Sequence, residues 1–296
     1  MKVLTTFNDV RLHTEGSVGL VPTMGYLHEG HLSLIDRSVV ECDTTVVSIF
    51  VNPLQFSDPS DLERYPRDLE RDVSLAARAG ADVVFSPSVD YMYPTGAVTM
   101  VTVEGVSDRM EGIHRPGHFV GVATVVAKLL AGVQPDRAYF GAKDAQQVAV
   151  VTTMARDLSF PVAIRTLPIV REEDGLALSS RNVHLDRAHR ASALTLSRGL
   201  MHAADLFEGG CRSSDELTDT VLAPMLSDLG VTVDYVALAD AATATPMSGV
   251  AGAQFLAVAA TVGSVRLIDN VSFDADRRTA DRGTRLTGPS MVYGGT

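Results

Sequence analysis

Several short stretches of this chain carry side chains whose types and spacing can act on a phosphate ester. The first runs Pro22-Thr23-Met24-Gly25-Tyr26-Leu27-His28-Glu29-Gly30-His31. An apolar run from Val18 to Val21 ends just before it, a Pro/Gly-marked turn follows, and a helix is expected to begin near Gly30. His28 and His31 are thereby placed on or beside a first helical turn, where free backbone N–H groups and the positive end of the helix dipole gather. Phosphates bind at such ends. Two imidazoles at this spacing can donate to phosphate oxygens and stabilise charge developing on an α-phosphate during displacement. Gly30 leaves room for a flat base or a ribose against the backbone. A metal pair and two surface histidines are the plainer readings of the same spacing.

The second stretch is Tyr139-Phe140-Gly141-Ala142-Lys143-Asp144-Ala145-Gln146-Gln147. It too leaves an apolar strand, passes a glycine turn and opens a helix, with Asp144 suited to the N-cap. Lys143 sits in the turn, where its ammonium reaches toward the β- or γ-phosphates that leave as pyrophosphate. Gln147, one turn in, is placed to hydrogen-bond a substrate hydroxyl. An ordinary cap beside a solvated lysine is the alternative. Only Lys2, Lys128 and Lys143 are lysines among 25 basic residues, which makes a retained compact ammonium a candidate for a specific task. The third stretch, Leu178-Ser179-Ser180-Arg181-Asn182, offers two hydroxyls and a guanidinium in consecutive positions, as a loop closing over a triphosphate needs.

Two further segments follow strand ends. Asn52 and Gln55 bring two neutral carboxamides to the Pro53 turn, suited to a hydroxylated, partly apolar acid. Arg115-Pro116-Gly117-His118 precedes a helix and reads equally as a turn with a cap. Glu70 and Asp72 have the chemistry to help hold Mg²⁺, although carboxylates on a helix usually face solvent; no metal ligand is assigned from the sequence.

The elements that position these groups alternate. Val18–Val21, Thr45–Val51, Ala81–Phe85, Arg137–Phe140 and Pro161–Leu167 read as strands. Between them His31–Glu41, Leu69–Ala79, Phe119–Gly132 and Ala145–Leu158 show helical spacing. This is an α/β pattern with a Rossmann-like, doubly wound parallel sheet, whose ligands lie outside the carboxyl ends of the strands. Near Val170 the pattern changes. Helices over about 186–207 and 214–229, then strands at Val231–Leu238, Gln254–Val262 and Val265–Ile268, fit a smaller α+β domain. The expected organisation is a catalytic domain over 1–169, a lid domain over 170–272, and a polar, loosely held tail over 273–296.

Bulk properties narrow the classes. The net charge of −11 repels nucleic acid and acidic membranes, so any nucleotide site must be built from local donors. No apolar run reaches the ~18–20 residues of a membrane span, and the N-terminus lacks a secretory signal. Cys42 and Cys211 have no CxxC partner and read as reduced thiols of a cytoplasmic protein. HExxH, Walker A and GxGxxG patterns do not occur.

Taken in order, PTMGYLHEGH, FVNPLQF, RPGHFVGVATVVAKL, FGAKDAQQ and LALSSRN resemble the pantothenate synthetases (pantoate–β-alanine ligases) of the HIGH-motif nucleotidyltransferase superfamily. The resemblance spans roughly residues 17–271; Ala142 departs from the glutamate the family often has there. It implies that pantoate and Mg²⁺-ATP give pantoyl adenylate and pyrophosphate, after which β-alanine displaces AMP. Carried over by motif, Met24, Gly25, Tyr26, Leu27, His28, Glu29, Gly30 and His31 line the ATP site, with His31 as proton donor or transition-state stabiliser. Gly141, Ala142, Lys143, Asp144, Val170, Leu178, Ser179, Ser180 and Arg181 also bind ATP, and His28, Lys143 and Arg181 join His31 in catalysis. Gln55 contacts pantoate and β-alanine, and Gln147 contacts pantoate. The family is typically homodimeric.

Rival readings differ in their demands. A dinucleotide-forming transferase needs a strong second anion site, whereas Gln55 and Gln147 are neutral. An aminoacyl-tRNA synthetase wants a basic surface. A silent ATP-binding regulator has no need of His28, His31, Lys143 and Arg181 together.

Overall fold

The computed structural model describes residues 1–293, and the chain divides into two compact units. The first comprises Met1–Ser107, Arg115–Gly141 and Val150–Leu167. Its six strands are β1 (Lys2–Leu4), β2 (Val18–Thr23), β3 (Thr44–Ile49), β4 (Val83–Phe85), β5 (Arg137–Gly141) and β6 (Ala163–Leu167). They form one parallel sheet in the order β1-β4-β3-β2-β5-β6. Every residue of β3 is buried and β2 is nearly so, which is why these strands read as continuous apolar runs without alternation. The strand order turns back between β2 and β5. The carboxyl end of β2 leads directly into residues 24–31, and open α/β sheets bind ligands at the carboxyl ends of strands beside such a reversal. The mixed α/β class with a parallel central sheet is as the sequence leads one to expect.

The helices of this unit are α1 (Phe7–Leu12), α2 (Glu29–Glu41), α3 (Pro59–Arg64), α4 (Leu69–Arg78) and α5 (Val89–Met92). Two more, α6 (Glu111–His114) and α8 (Ala145–Asp157), contribute wholly or in part to the second unit, and α7 (His118–Val133) belongs to the first. Twelve of the sixteen residues of α7 are buried, so it is a core helix and not an amphipathic one.

The second unit comprises 108–114, 142–149 and 168 onward. It holds β7 (Val170–Arg171), α9 (Arg187–Glu208), α10 (Ser214–Leu226), β8 (Val231–Asp240), β9 (Ala253–Val262), β10 (Val265–Asp274), β11 (Thr279–Asp281) and β12 (Thr284–Arg285). Strands β11-β10-β9-β8 make an antiparallel sheet, and β12 pairs in parallel with β7. Leu196, Leu200, Phe207 and Val221 from the two helices pack with Leu256, Val258 and Phe273 from the sheet in one core.

Two expectations are corrected here. β10 continues to Asp274 instead of stopping near Ile268, because the polar residues that appear to end it are partnered: the Asp269 carboxylate takes both arms of Arg171, at 2.7 and 3.0 Å. The tail expected to be loose is tied down as far as it is described. β11 pairs with β10, β12 pairs with β7, Val292 is fully buried, and Arg282 spans Asp205 and Glu208. Residues 294–296 lie outside the described residues.

Candidate active site

Thr23 ends β2, and its hydroxyl donates to Ser48 O at 2.7 Å and accepts from Gly25 N at 3.2 Å. The chain then turns through left-handed backbone at Gly25 (φ 85°) and Tyr26 (φ 51°). Asp72, 1% exposed, holds this turn: its two oxygens accept the Tyr26 and Leu27 amides, each at 2.7 Å. Arg71 donates to Leu27 O at 2.8 Å, and its guanidinium lies 5.1 Å from the Tyr26 ring centroid. Burial pushes the Asp72 carboxyl above its ordinary value, and that outweighs the two amide donors and Arg71, which pull it down. Asp72 is therefore a clamp on the Met24–Leu27 turn with both oxygens engaged, and Glu70 faces solvent.

The turn delivers His28 to the N-cap of α2. His28 Nδ1 accepts from Gly30 N at 3.2 Å, and His31 Nδ1 accepts from His28 N at 3.4 Å, a reciprocal capping box built from two imidazoles. The ring centroids are 4.1 Å apart. An Nδ1 that accepts an amide proton leaves the neutral ring's hydrogen on Nε2. Each imidazole thus carries its hydrogen on Nε2 beside a helix N-terminus. Glu29 and Gly30 open the helix beside them.

At the end of β3, Asn52 is almost fully buried and spends its whole amide on structure. Its Oδ1 accepts from Tyr93 Oη at 2.8 Å and Leu54 N at 3.3 Å, while Nδ2 donates to Gln55 Oε1 and Gly121 O, each at 3.0 Å. Burial pushes the Tyr93 phenol well above its ordinary value, which keeps it a donor. Gln55 Oε1 is occupied, and Nε2 makes no hydrogen bond among the described residues. The Gln55 carbonyl accepts from His118 Nδ1 at 2.9 Å and Arg115 Nη2 at 3.3 Å. The His118 hydrogen therefore sits on Nδ1. Arg115 and His118 fix the turn that carries Gln55. Gly121 is required here: a Cβ would lie 2.5 Å from both the backbone C and O of Leu54.

In the second unit, residues 142–144 form a single 3-10 turn running straight into α8, so Asp144 ends that turn instead of capping a free helix start. Lys143 Nζ lies 4.0 Å from the Asp144 carboxylate. One amide anchors the turn: Asn270 Nδ2 donates to the carbonyls of Ala142 and Lys143, each at 2.9 Å. Gln146 is buried and structural, bonding Glu111 N at 3.1 Å and Arg109 O at 2.8 Å, whereas Gln147 keeps partial exposure. Val170 O accepts from Leu178 N at 2.9 Å. Ser179 caps the 3-10 turn Ser180–His184 by accepting from Arg181 N at 3.3 Å. Asn182, fully buried, donates to Glu172 Oε1 at 2.7 Å and Ala177 O at 3.1 Å.

The structure thus groups His28, His31 and the Met24–Leu27 turn around Asp72, and Gln55 around Asn52, in the first unit. It groups Lys143 with Asn270, and Ser179–Arg181 with Val170, Leu178 and Glu172, in the second. Sequence reasoning weighed Asp72 only as a Mg²⁺ ligand or a solvated carboxylate, and missed the anchoring residues Tyr93, Asn270 and Glu172. For Asp72 a signal exists: with Leu75 and Ala76 it has i, i+3, i+4 spacing, which places an acid on the buried face of α4. Among the described residues no group of three or more His, Cys, Asp or Glu is placed to hold a metal, and no helix is long and apolar enough to cross a membrane.

The family model described as Pantoate-beta-alanine ligase matches residues 2–272. The chain is 50% identical to the pantothenate synthetase of Acetivibrio thermocellus over 277 residues, covering 92% of this chain and 99% of that protein. It is likewise 50% identical to the enzyme of Moorella thermoacetica over 282 residues, covering 93% and 100%. Among solved structures, pantothenate synthetase from Thermus thermophilus superposes with a TM-score of 0.87 at 47% identity, covering 91% of this chain and 98% of that one. The pantoate–β-alanine ligase of Francisella tularensis, complexed with β-γ ATP and β-alanine, gives 0.75 at 33% identity, covering 93% and 98%. The five ordered motifs, the parallel sheet and a match over nearly the whole chain lead to one assignment: the chain belongs to the pantoate–β-alanine ligase family.

Proposed function

We propose that this chain joins (R)-pantoate to β-alanine in two steps driven by ATP. In the first, a pantoate carboxylate oxygen attacks the α-phosphorus; the bond from that phosphorus to its bridging oxygen breaks and pyrophosphate leaves. In the second, the β-alanine amine attacks the acyl carbon of pantoyl adenylate; the C–O bond to AMP breaks, AMP departs and the amine proton passes to solvent. A free carboxylate is a poor electrophile, and esterification to AMP supplies the leaving group.

The observation that carries this reading is the imidazole capping box. His28 and His31 bring two imidazoles to a helix N-terminus, behind a loop held by buried Asp72, where an α-phosphate gaining charge is stabilised. In the second unit, Lys143 takes the departing pyrophosphate, and Ser179, Ser180 and Arg181 take the triphosphate, with Val170 and Leu178 beside them. Gln55 addresses pantoate and β-alanine through its Nε2, and Gln147 addresses pantoate. The complex of the Francisella ligase with β-γ ATP and β-alanine supports the same substrates here.

Mg²⁺ fits as a counter-ion on the nucleotide's own oxygens. The Asp72 carboxylate is taken by two amides, and Mg²⁺ in such enzymes is held largely by substrate phosphates and water. When bound it neutralises charge on the leaving phosphates. The two free thiols suit a reducing cytoplasm, and the working species is a homodimer, which light scattering tests directly.

The deciding experiment is isotope exchange between pyrophosphate and ATP. Exchange that requires pantoate and proceeds without β-alanine is expected; exchange indifferent to pantoate refutes the first step.

A further inference from the structure

The family match ends at residue 272, yet the chain beyond it is bound to the loop that carries Ser179–Arg181. Strand β12 pairs with β7: Thr284 N donates to Ile169 O at 2.6 Å and Leu286 N to Arg171 O at 2.8 Å. Arg171, buried, donates through Nε to Arg282 O and through both terminal nitrogens to Asp269. Further on, Val292 is fully buried, and the hydroxyl of the half-exposed Tyr293 donates to the Glu172 carboxylate, 2.9 Å from Oε1 and 3.1 Å from Oε2.

Glu172 is where this segment meets the loop. Its Oε1 accepts from Asn182 Nδ2 at 2.7 Å, and its Oε2 from Arg190 Nη2 at 2.6 Å. Arg190 also contacts the Tyr293 hydroxyl, and its guanidinium lies 5.7 Å from that ring's centroid. Asn182 is fully buried and adjoins Arg181 in the 3-10 turn capped by Ser179. One carboxylate therefore reads the tail on one side and the turn on the other. Burial and the neighbouring Glu172 charge push the Tyr293 phenol well above its ordinary value, so it remains a donor at neutral pH.

We infer that residues 275–293 form a strap that orders the Ser179–Arg181 turn for ATP, with Tyr293 as its positioning residue acting through Glu172 and Asn182. This rests on the proposed role of that turn in ATP binding. Tyr293 touches no reacting atom; it fixes the carboxylate that fixes the turn.

The test is Tyr293→Phe in the full chain, with a deletion of residues 286–296 as the stronger variant. Backbone amide exchange over 177–184 in the ligand-free enzyme reads the strap without relying on turnover. Faster exchange there is expected in Tyr293→Phe, with a rise of roughly three- to tenfold in KM for ATP and less than about twofold in KM for β-alanine, as suits a part of one charged hydrogen bond passed on through Glu172 and Asn182. In a Glu172→Gln background Tyr293→Phe adds little. Unchanged exchange over 177–184 in both tail variants overturns the strap. Faster exchange with unchanged ATP kinetics overturns its service to the nucleotide. A wild-type enzyme without pantoate-dependent exchange of pyrophosphate instead marks failure of the proposed function itself.

Discussion

Replacing Asp72 by asparagine tests the clamp on the turn that leads into the proposed catalytic pair His28 and His31. The wild-type carboxylate accepts two amides at 2.7 Å from inside the protein, and hydrogen bonds to a charged acceptor contribute ~1.5–3 kcal/mol each. Asparagine keeps one acceptor and turns an NH₂ group toward the other amide, so about 2–3 kcal/mol is lost. Against this, burial penalises the charged carboxylate, and the neutral amide is relieved of that penalty. The amide left facing an NH₂ group makes the fold about 1–2 kcal/mol less stable, which for 296 residues lowers Tm by about 2–3 °C. The effect on chemistry is larger, because the amides released are those of Tyr26 and Leu27, immediately before His28. A displacement of about 1 Å at a reacting group can reduce rates by ~10²-fold, so a fall of at least about tenfold in pantoate-dependent exchange is expected. The sign with pH is also set. A folded value above the unfolded one makes Asp72's own contribution greatest below the ordinary carboxyl value and smaller as pH rises through the raised one. An Asp72→Asn enzyme with wild-type Tm and wild-type exchange kinetics refutes the clamp.

His31→Ala and Lys143→Ala should each lower kcat for exchange by roughly 10²–10³, the usual effect of removing a transition-state donor; near-normal turnover removes that residue from its role. Gly121→Ala should destabilise the protein by about 2 kcal/mol despite alanine's better helix propensity of ~1 kcal/mol, since its methyl meets Leu54 backbone at 2.5 Å; unfolding in urea checks the sign. The Glu208 carboxyl is held below its ordinary value, first by the Arg282 side chain and then by the Ala280 amide. A lowered value contributes stability above the ordinary carboxyl range and loses it as pH falls through the folded value. Amides 279–285 should accordingly exchange faster below about pH 4, the ordinary carboxyl range, and in Arg282→Ala at neutral pH; a flat profile in both refutes the latch.

The α/β class was legible because β2 and β3 are buried on both faces, so each is an unbroken apolar run ending at a Gly- or Pro-marked turn. The same signal placed His28 and His31 at the start of α2, within two residues of where the helix begins. Burial through partnership was not legible. Asp269 and Asn270 read as a strand end because their partners, Arg171 and the carbonyls of Ala142 and Lys143, lie about a hundred or more residues away. The three-residue β1 is too short to show a period, and α1 is a six-residue helix with one buried position. The tail misled for the same reason as β10: Arg282 looks solvated until Asp205 and Glu208 are seen across from it.

The histidine pair has a consequence for how protons are handled. A ring whose near nitrogen is engaged by an amide has a locked tautomer, and its far nitrogen can give a hydrogen but has no lone pair with which to take one. Pantoate asks for no base, since a carboxylic acid is already ionised at neutral pH. The start of α2 therefore suits a reaction in which negative charge migrates along phosphate oxygens while every hydrogen near the attacking atom stays where it was.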